Sequence, residues 1–567
     1  MKNSYTFCRL LLIFGLGLVS LSSSHANPFS IQGRLGLFYD MYNYSAFEYA
    51  GFRPRYPSNL GRFSAQATIS AGAHFQLPFG IDISTRGSSY YLPNMPEEGF
   101  IDYVQNPRNN IHMNPSYKWI QGFIGTQSPD FTSLTTGDIP IFGLGLSLNP
   151  GRFLFSVHYG KSQLAVNPDP LENIAGAYGQ RILAARAGYG DPDGTMFMLN
   201  VVRRKDDITS LDASPAGVSP VAGVSISPLL QVRISESLLF STETAGSVFT
   251  SDINGPPSVI ENDWLVHADN LININGSSYA DFSNISSLEW RSANVGIGAE
   301  VRYIGPGFQP VGYRTMETDV IDYNLKTDLS LFDQKVQLNG SGGLRTNNIH
   351  DNMTESSRRF IANLSLFTQL TESFSVLTTF ANFGFNNNAM FDTLKVEMVH
   401  NSYSFSPTFQ INGTDLNHMI NLSAGLQDFD EFNVVTGDFI SMRSVNYSAT
   451  YNLGFVQSPL NFGVTGMYLD NESPVMGLRL YHLGVTARYS FMDRRIRPSL
   501  TLSHAGITRE GFTTDARWRL NLKTSYHLNE TLDVRFGYNL SYYEYGSSRP
   551  EAKTTEHRLQ LSVAQSF

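Results

Sequence analysis

Strict two-residue alternation, in runs long enough to cross a membrane obliquely, constrains this chain more than any other feature. Ala516, Trp518, Leu520, Leu522, Thr524 and Tyr526 alternate with Arg517, Arg519, Asn521, Lys523, Ser525 and His527. After the turn LNET (528–531), Leu532, Val534, Phe536, Tyr538, Leu540 and Tyr542 alternate with Asp533, Arg535, Gly537, Asn539 and Ser541. The same pattern runs through 321–331, 445–455 and 481–491. Side chains in a strand point alternately to its two faces, so each run has one apolar and one polar face. Each is roughly 11 residues long, the length of a tilted membrane-crossing strand.

Soluble all-β proteins also alternate, but their outward faces carry many charges. Here only 16% of residues are charged, against roughly 25% in a typical soluble domain. The polar faces are mainly Asn, Ser, Thr and Gly, and aromatic residues make up 13%. No apolar run downstream of the N-terminus approaches the ~18 residues of a membrane helix. A chain that enters lipid without such a helix must satisfy its backbone as a closed barrel. The expected fold is therefore all-β: a transmembrane antiparallel β-barrel of about 24 strands (22–26).

The connections support this. Tight turns at 331–335, 370–373, 491–495 and 528–531 alternate with longer polar stretches at 345–357, 427–439 and 545–555. Short periplasmic turns and long extracellular loops are the arrangement of outer-membrane barrels. In the first half the expected strands include 62–76, 81–91, 117–125, 139–148, 152–159, 182–189 and 196–204. The long segments 93–115, 206–220 and 251–278 read as surface loops or as a partial constriction of the lumen.

Residues 1–26 have the form of a secretory signal peptide: Lys2 and Arg9, an apolar stretch from Leu10 to Leu21, then Ser24 and Ala26 at a small-residue cleavage site. Cleavage near Ala26 leaves 27–567 as a single barrel domain. It also removes Cys8, the one cysteine, so the exported chain has no thiol chemistry. The net charge of −9 argues against a nucleic-acid partner.

Motifs for chemistry are sparse. YGKS (159–162) lacks the upstream glycine of a phosphate loop, since that position is Phe155. Asp191-Pro192-Asp193-Gly194 reads as a tight turn between strands rather than a cation site. Ser503 and His504 point to opposite faces and cannot form a dyad. The acidic loop residues Asp428, Asp430 and Glu431 read as a solvated charge run. No cofactor or metal site is expected, and nothing points to an enzyme. One set stands out: Arg488, Arg497, Arg517, Arg519, Lys523, Arg535 and Arg558 all fall on polar faces of the last five strands. In a barrel these faces line the lumen, where a basic wall favours anions. Alternatively, acids on loops folded into the lumen neutralise it.

The chain ends LQLSVAQSF. Leu559, Leu561, Val563 and Phe567 resemble the C-terminal signal of Gram-negative outer-membrane proteins, a final aromatic after alternating apolar residues; Gln565 departs from that pattern. The resemblance extends over residues 30–567. It implies residence in the cell outer membrane, contact with outer-membrane lipid, and recognition by the barrel-insertion machinery. The stretches 116–134 and 141–163 are similar to segments of uncharacterised outer-membrane barrels from the Bacteroidota. The expected function is porin-like passage of small polar solutes. The alternative is a non-conducting binding or assembly barrel: an adhesin, a surface receptor, or a component of a secretion or lipoprotein complex.

Overall fold

A computed structural model describes residues 29–567 apart from 50, 85–103, 106–109, 138, 170–173, 212–214, 216, 258–271, 313–315, 390–394, 434–438, 475 and 548. The signal-peptide assignment, and parts of the segments 93–115, 206–220 and 251–278, lie outside the described residues.

Every strand among the described residues joins one antiparallel sheet that closes on itself. The first strand, β1 (Phe29–Phe47), pairs on one side with β2 (Asn59–Ala71) and on the other with the last, β27 (Lys553–Ser566). Of 27 strand segments, β4 (Asn110–Met113) and β5 (Ser116–Tyr117) are two pieces of one interrupted stave. Both pair with β3 (Phe75–Ser84) and with β6 (Ile120–Gln127), so the barrel has 26 staves. Twenty-six is the upper end of the expected 22–26, two above the central figure of about 24, and the irregular N-terminal half is the harder part to read. There, β1 and the interrupted stave are missing from the expected strands. The run expected as one strand over 62–76 is in fact broken by a turn at 72–74, between β2 and β3. Gly72, with φ +62°, sits in that turn.

All the short turns and both ends of the barrel sequence lie at one rim; the longer connections lie at the other. At the turn rim, Asp191–Gly194 forms the expected tight turn: the Gly194 N–H donates to the Asp191 carbonyl at 2.9 Å and the Asp193 N–H to the Asp191 carboxylate at 3.0 Å. The loops are shorter than expected, because strands extend into them. β20 (Leu416–Asn433) and β21 (Phe439–Phe455) consume most of 427–439. Asp428, Asp430 and Glu431 are therefore strand residues, not a loop charge run, and Asp428 lies 3.6 Å from Arg443 on the adjacent strand. Cysteines at Asn352 and at Asp333 or Asn529 sit at opposite rims. An impermeant thiol reagent on intact cells is expected to label Asn352→Cys and neither of the other two; the reverse pattern would invert the barrel.

Registers place the apolar alternates on the outer surface. Leu483 is 60% exposed and Leu144 63% exposed, although both sit mid-strand in paired sheet. Aromatic rings ring this surface at two heights. Phe153 and Tyr189 (5.0 Å between centroids) and Phe374 and Phe409 (4.5 Å) lie toward the turn rim. Phe282 and Tyr303 (5.1 Å) and His504 and Trp518 (4.2 Å) lie toward the loop rim. Trp518 and Tyr526 lie on one outer face eight residues apart. That is roughly 27 Å along a strand, or about 20 Å along the barrel normal at a tilt near 40°. A belt of that height bounded by aromatics matches the apolar thickness that outer-membrane barrels present.

Candidate functional site

The inward faces divide the lumen into sectors of different chemistry. The first is basic. Continuous register through β23 (Leu478–Tyr489), β24 (Ile496–Arg509), β25 (Asp515–His527), β26 (Leu532–Glu544) and β27 puts Arg488, Arg497, Arg517, Arg519, Lys523, Arg535 and Arg558 on one inward face. Arg488 pairs in register with Ser499, Ser499 with Lys523, and Lys523 with Gly537. Two of the seven have carboxylates at hand: Arg558 forks onto Asp40 of β1 at 2.5 Å, and Arg535 lies 3.6 Å from Asp533. Arg517 lies over the Tyr543 ring, 5.3 Å from its centroid, and Arg519 reaches Ser541 Oγ at 3.5 Å. Arg488, Arg497, Lys523 and Arg535 are solvent-exposed although they face inward. Their charge is therefore directed at solvent within the lumen. His504, the neighbour of inward-facing Ser503, packs against Trp518 at the outer surface with the rings tilted, as opposite faces require.

The second sector is ionic but internally balanced. Arg345 of β16 (Val336–Asn347) forks onto Asp322 of β15 (Val320–Leu331), with both contacts at 2.6 Å. Glu317 joins Arg345 at 3.0 Å and Arg359 of β17 (Glu355–Thr371) at 3.0 Å. The bidentate geometry fixes these side chains to the wall rather than leaving their charge free.

The third sector is filled. The segment 128–137, SPDFTSLTTG, turns inward after β6 and crosses the inner face of the wall. Phe131 packs on Ala184 of β9 (Gly179–Gly190), on Val202 of β10 (Met196–Asp207) and on Val311. Leu134, 1% exposed, packs on Ala245 of β12 (Leu238–Thr250), Ile304 of β14 (Val295–Ile304), Phe308 and Val320. A second inward segment, 305–312, supplies Phe308 and Val311. The two segments are joined where the Gly312 N–H donates to the Thr135 carbonyl at 2.8 Å. A Cβ on Gly312 would meet the Thr136 carbonyl oxygen at 2.3 Å, so this approach requires glycine.

A buried acid anchors the assembly. Glu243 of β12 accepts a hydrogen bond from the Thr132 hydroxyl at 2.6 Å and a second from Ser227 of β11 (Ala222–Ser235). Beside it, Arg186 lies 4.2 Å from the Phe131 ring centroid and donates to Asn200 at 2.8 Å. Phe131 also meets His158, which is bound to Gln127 at 2.7 Å. A buried charge keeps its place only when it is so satisfied.

These inward segments are not the ones that length suggested. The described part of 251–278 lies against the outside of the wall: Ile272 packs on Val224 and Val248, whose register places them on the outer face. A signal for the true fillers was present. SPDFTSLTTG carries one charge, Asp130, and GPGFQPVG (305–312) carries none, yet they contain Phe131, Leu134, Phe308 and Val311. Loops in water seldom combine so little charge with so much apolar bulk.

At the seam, Leu559, Leu561 and Val563 lie on the outer face in register with Met41, Tyr39 and Leu37. Phe567 exchanges two backbone hydrogen bonds with Gly33, at 2.9 and 3.0 Å. Its ring lies over that glycine: a Cβ there would be 2.7 Å from Phe567 Cζ. Among the described residues no group of His, Cys, Asp or Glu could hold a metal ion.

No protein-family model matches the chain. No curated protein sequence matches it either. Solved structures similar to it include OccAB2 of Acinetobacter baumannii, at 9% identity over 68% of this chain and 98% of that one, with a TM-score of 0.30. The outer membrane protein opdK of Pseudomonas aeruginosa is similar at 11% identity over 61% of this chain and 94% of that one, TM-score 0.29. FpvA of P. aeruginosa, bound to heterologous pyoverdines, is similar at 8% identity over 95% of this chain and 72% of that one, TM-score 0.38. At such values the functional reading rests on this chain's own geometry.

Proposed function

We propose that this protein is an outer-membrane barrel that conducts small polar solutes through a narrowed lumen and favours anions. The observation that carries the reading is the solvent exposure of the inward-facing cations Arg488, Arg497 and Lys523, opposite a sector already filled by protein. A lumen filled throughout would cover those cations or pair them with acids, because an unpaired buried charge is costly. The apolar belt with two aromatic rings supports residence in the outer membrane, with the longer loops outside. The basic sector supplies the Coulomb preference. The second reading, a non-conducting binding or assembly barrel, draws on the filled sector, which narrows the passage. Planar-bilayer recording decides between them: discrete single-channel currents with a reversal potential on the anion side are expected. Purified protein that inserts and passes no current would refute the conduit.

The same reading makes Phe567 a delivery signal for the barrel-insertion machinery. Its direct contribution to the finished barrel is on the order of 1–3 kcal/mol, the burial of one partly exposed ring. Deleting Phe567 is expected to lower outer-membrane abundance in cells while refolding into detergent stays nearly normal. Equal failure in both assays would make the ring a structural anchor over Gly33 instead.

A further inference from the structure

One row of the outer wall carries charge of a single sign. Lys161 of β8 (Phe153–Gln163) pairs in register with Arg181 of β9, and Arg181 pairs with Lys205 of β10. Two residues below Lys161, Tyr159 pairs with Leu144, whose exposure marks the outer surface, so the three cations point outward too. Adjacent strands lie about 4.8 Å apart, which brings all three within roughly 10 Å across the wall. Like charges directly opposite each other on neighbouring strands repel. The surrounding groups do little to offset this. Lys161 donates to Gln105 Oε1 at 2.7 Å and Lys205 to Asn273 Oδ1 at 3.2 Å, both neutral amides. The carboxylate within ion-pair distance of the row, among the described residues, is Asp207. It lies 3.3 Å from Arg181 and also accepts from the Thr209 hydroxyl at 2.6 Å. Outward cations elsewhere near the loop rim are matched one to one by an acid on the adjacent strand: Arg443 by Asp428 at 3.6 Å, Arg479 by Asp470 at 3.4 Å and Lys553 by Glu544 at 3.1 Å.

The row stands at the upper edge of the apolar belt. On the same three strands and the same face, Phe153, Tyr189 and Phe197 pair with one another near the turn rim. Each cation is eight residues from the aromatic on its own strand, roughly 27 Å along the strand and about 20 Å along the normal at a tilt near 40°. That is the span between Trp518 and Tyr526. The outward residues in between are apolar: Tyr159 and Leu183, then Val157, Ala185 and Val201, then Phe155, Ala187 and Leu199. Ala185 and Ala187 lie between larger side chains on both neighbouring strands, so a shallow trough runs down β9 from Arg181 toward Tyr189.

We propose that Lys161, Arg181 and Lys205 bind the phosphate-bearing headgroup of a membrane lipid, whose acyl chains lie along the apolar face of β8, β9 and β10. Guanidinium and ammonium groups make charge-assisted hydrogen bonds to phosphate oxygens, and an anion there relieves the repulsion within the row. The long lysine and arginine stems cover the top of the apolar face while their charged ends reach the headgroup level. A soluble phosphate would meet the charge and leave the trough below it uncovered; a lipid meets both. The proposal rests on residence in the outer membrane with the longer loops outside, which assigns this lipid to the outer leaflet.

Native mass spectrometry of the full barrel in detergent tests it with three probes: lipid A (an acylated disaccharide bearing two phosphates), the same lipid stripped of phosphate, and inorganic phosphate. Lipid A is expected to bind about tenfold tighter than its dephosphorylated form, and inorganic phosphate in about hundredfold excess should not displace it. Lys161→Gln with Lys205→Gln should weaken lipid A by about tenfold and leave the dephosphorylated lipid unchanged. Arg443→Gln with Arg479→Gln removes the same charge from sites that already have acids and should change neither. Slower gel migration after boiling than before confirms a closed barrel for each variant. Equal affinity for the two lipids would overturn the proposal, as would insensitivity to the lysine double variant, which would mean that the chain itself neutralises the row. An equal loss in the arginine double variant would reduce the effect to net charge and overturn it too. Displacement by inorganic phosphate would make the row a site for soluble anions and overturn the lipid assignment. Thiol labelling separates this claim from the orientation on which it rests. A barrel that binds lipid A through these lysines but shields Asn352→Cys on intact cells overturns the leaflet and keeps the headgroup site. One that labels at that position and binds no lipid A overturns the site alone.

Discussion

Bilayers containing the Arg519→Glu, Lys523→Glu double variant are expected to show a reversal potential shifted strongly toward cations, with the anion-to-cation permeability ratio falling roughly eightfold at 0.1 M salt. Two unit charges in water ~10 Å apart interact by ~0.4 kcal/mol. The double variant changes the wall by four unit charges, and screening over about one Debye length leaves roughly a third, or ~0.6 kcal/mol. That is about threefold in favour of cations and about threefold against anions. At 1 M salt the Debye length shrinks to ~3 Å and the shift should largely vanish. Both side chains face inward with no carboxylate at ion-pair distance among the described residues, so the change acts on the lumen and not on a structural ion pair. Arg558→Gln is the contrasting case: it strands Asp40, which is 5% exposed, and is expected to destabilise the barrel seam more than it alters selectivity. An unchanged reversal potential in the double variant at low salt would mean that ions do not pass this wall.

The second large effect concerns the inward segment. Leu134→Asp is expected to release 128–137 from the wall and raise single-channel conductance. Leu134 sits among Ala245, Ile304, Phe308 and Val320, where a carboxylate finds no partner and must carry the segment into water. Leu134→Ala keeps the site apolar and should cost about 2–5 kcal/mol without releasing it. A reporter cysteine at Thr135, fully buried in the native protein, distinguishes the two. Impermeant reagent should react with Thr135→Cys only in the Leu134→Asp background. Equal conductance and continued protection of that thiol would show that the segment is held by Glu243 and the Gly312 junction alone.

Local periodicity sufficed for the wall, because a strand's side-chain direction follows from position along the chain. Alternation placed Arg517, Arg519 and Lys523 on a face opposite Trp518, Leu520 and Leu522, and closure made that face the lumen. Short turns against longer connections marked the two rims for the same local reason. What alternation does not encode is which residues share a height or a partner across the barrel. That depends on register, which here brings Arg558 to Asp40 over 518 positions of sequence and Thr132 to Glu243 over 111. The strand total depended on recognising β1 and on joining β4 to β5 across a break, where pairing with both neighbours identifies one stave. The filled sector depended on tertiary structure most of all. Whether a charge-poor loop turns in or out is decided by what waits for it on the wall, and Ala184, Ala245 and Val320 come from strands far apart in sequence.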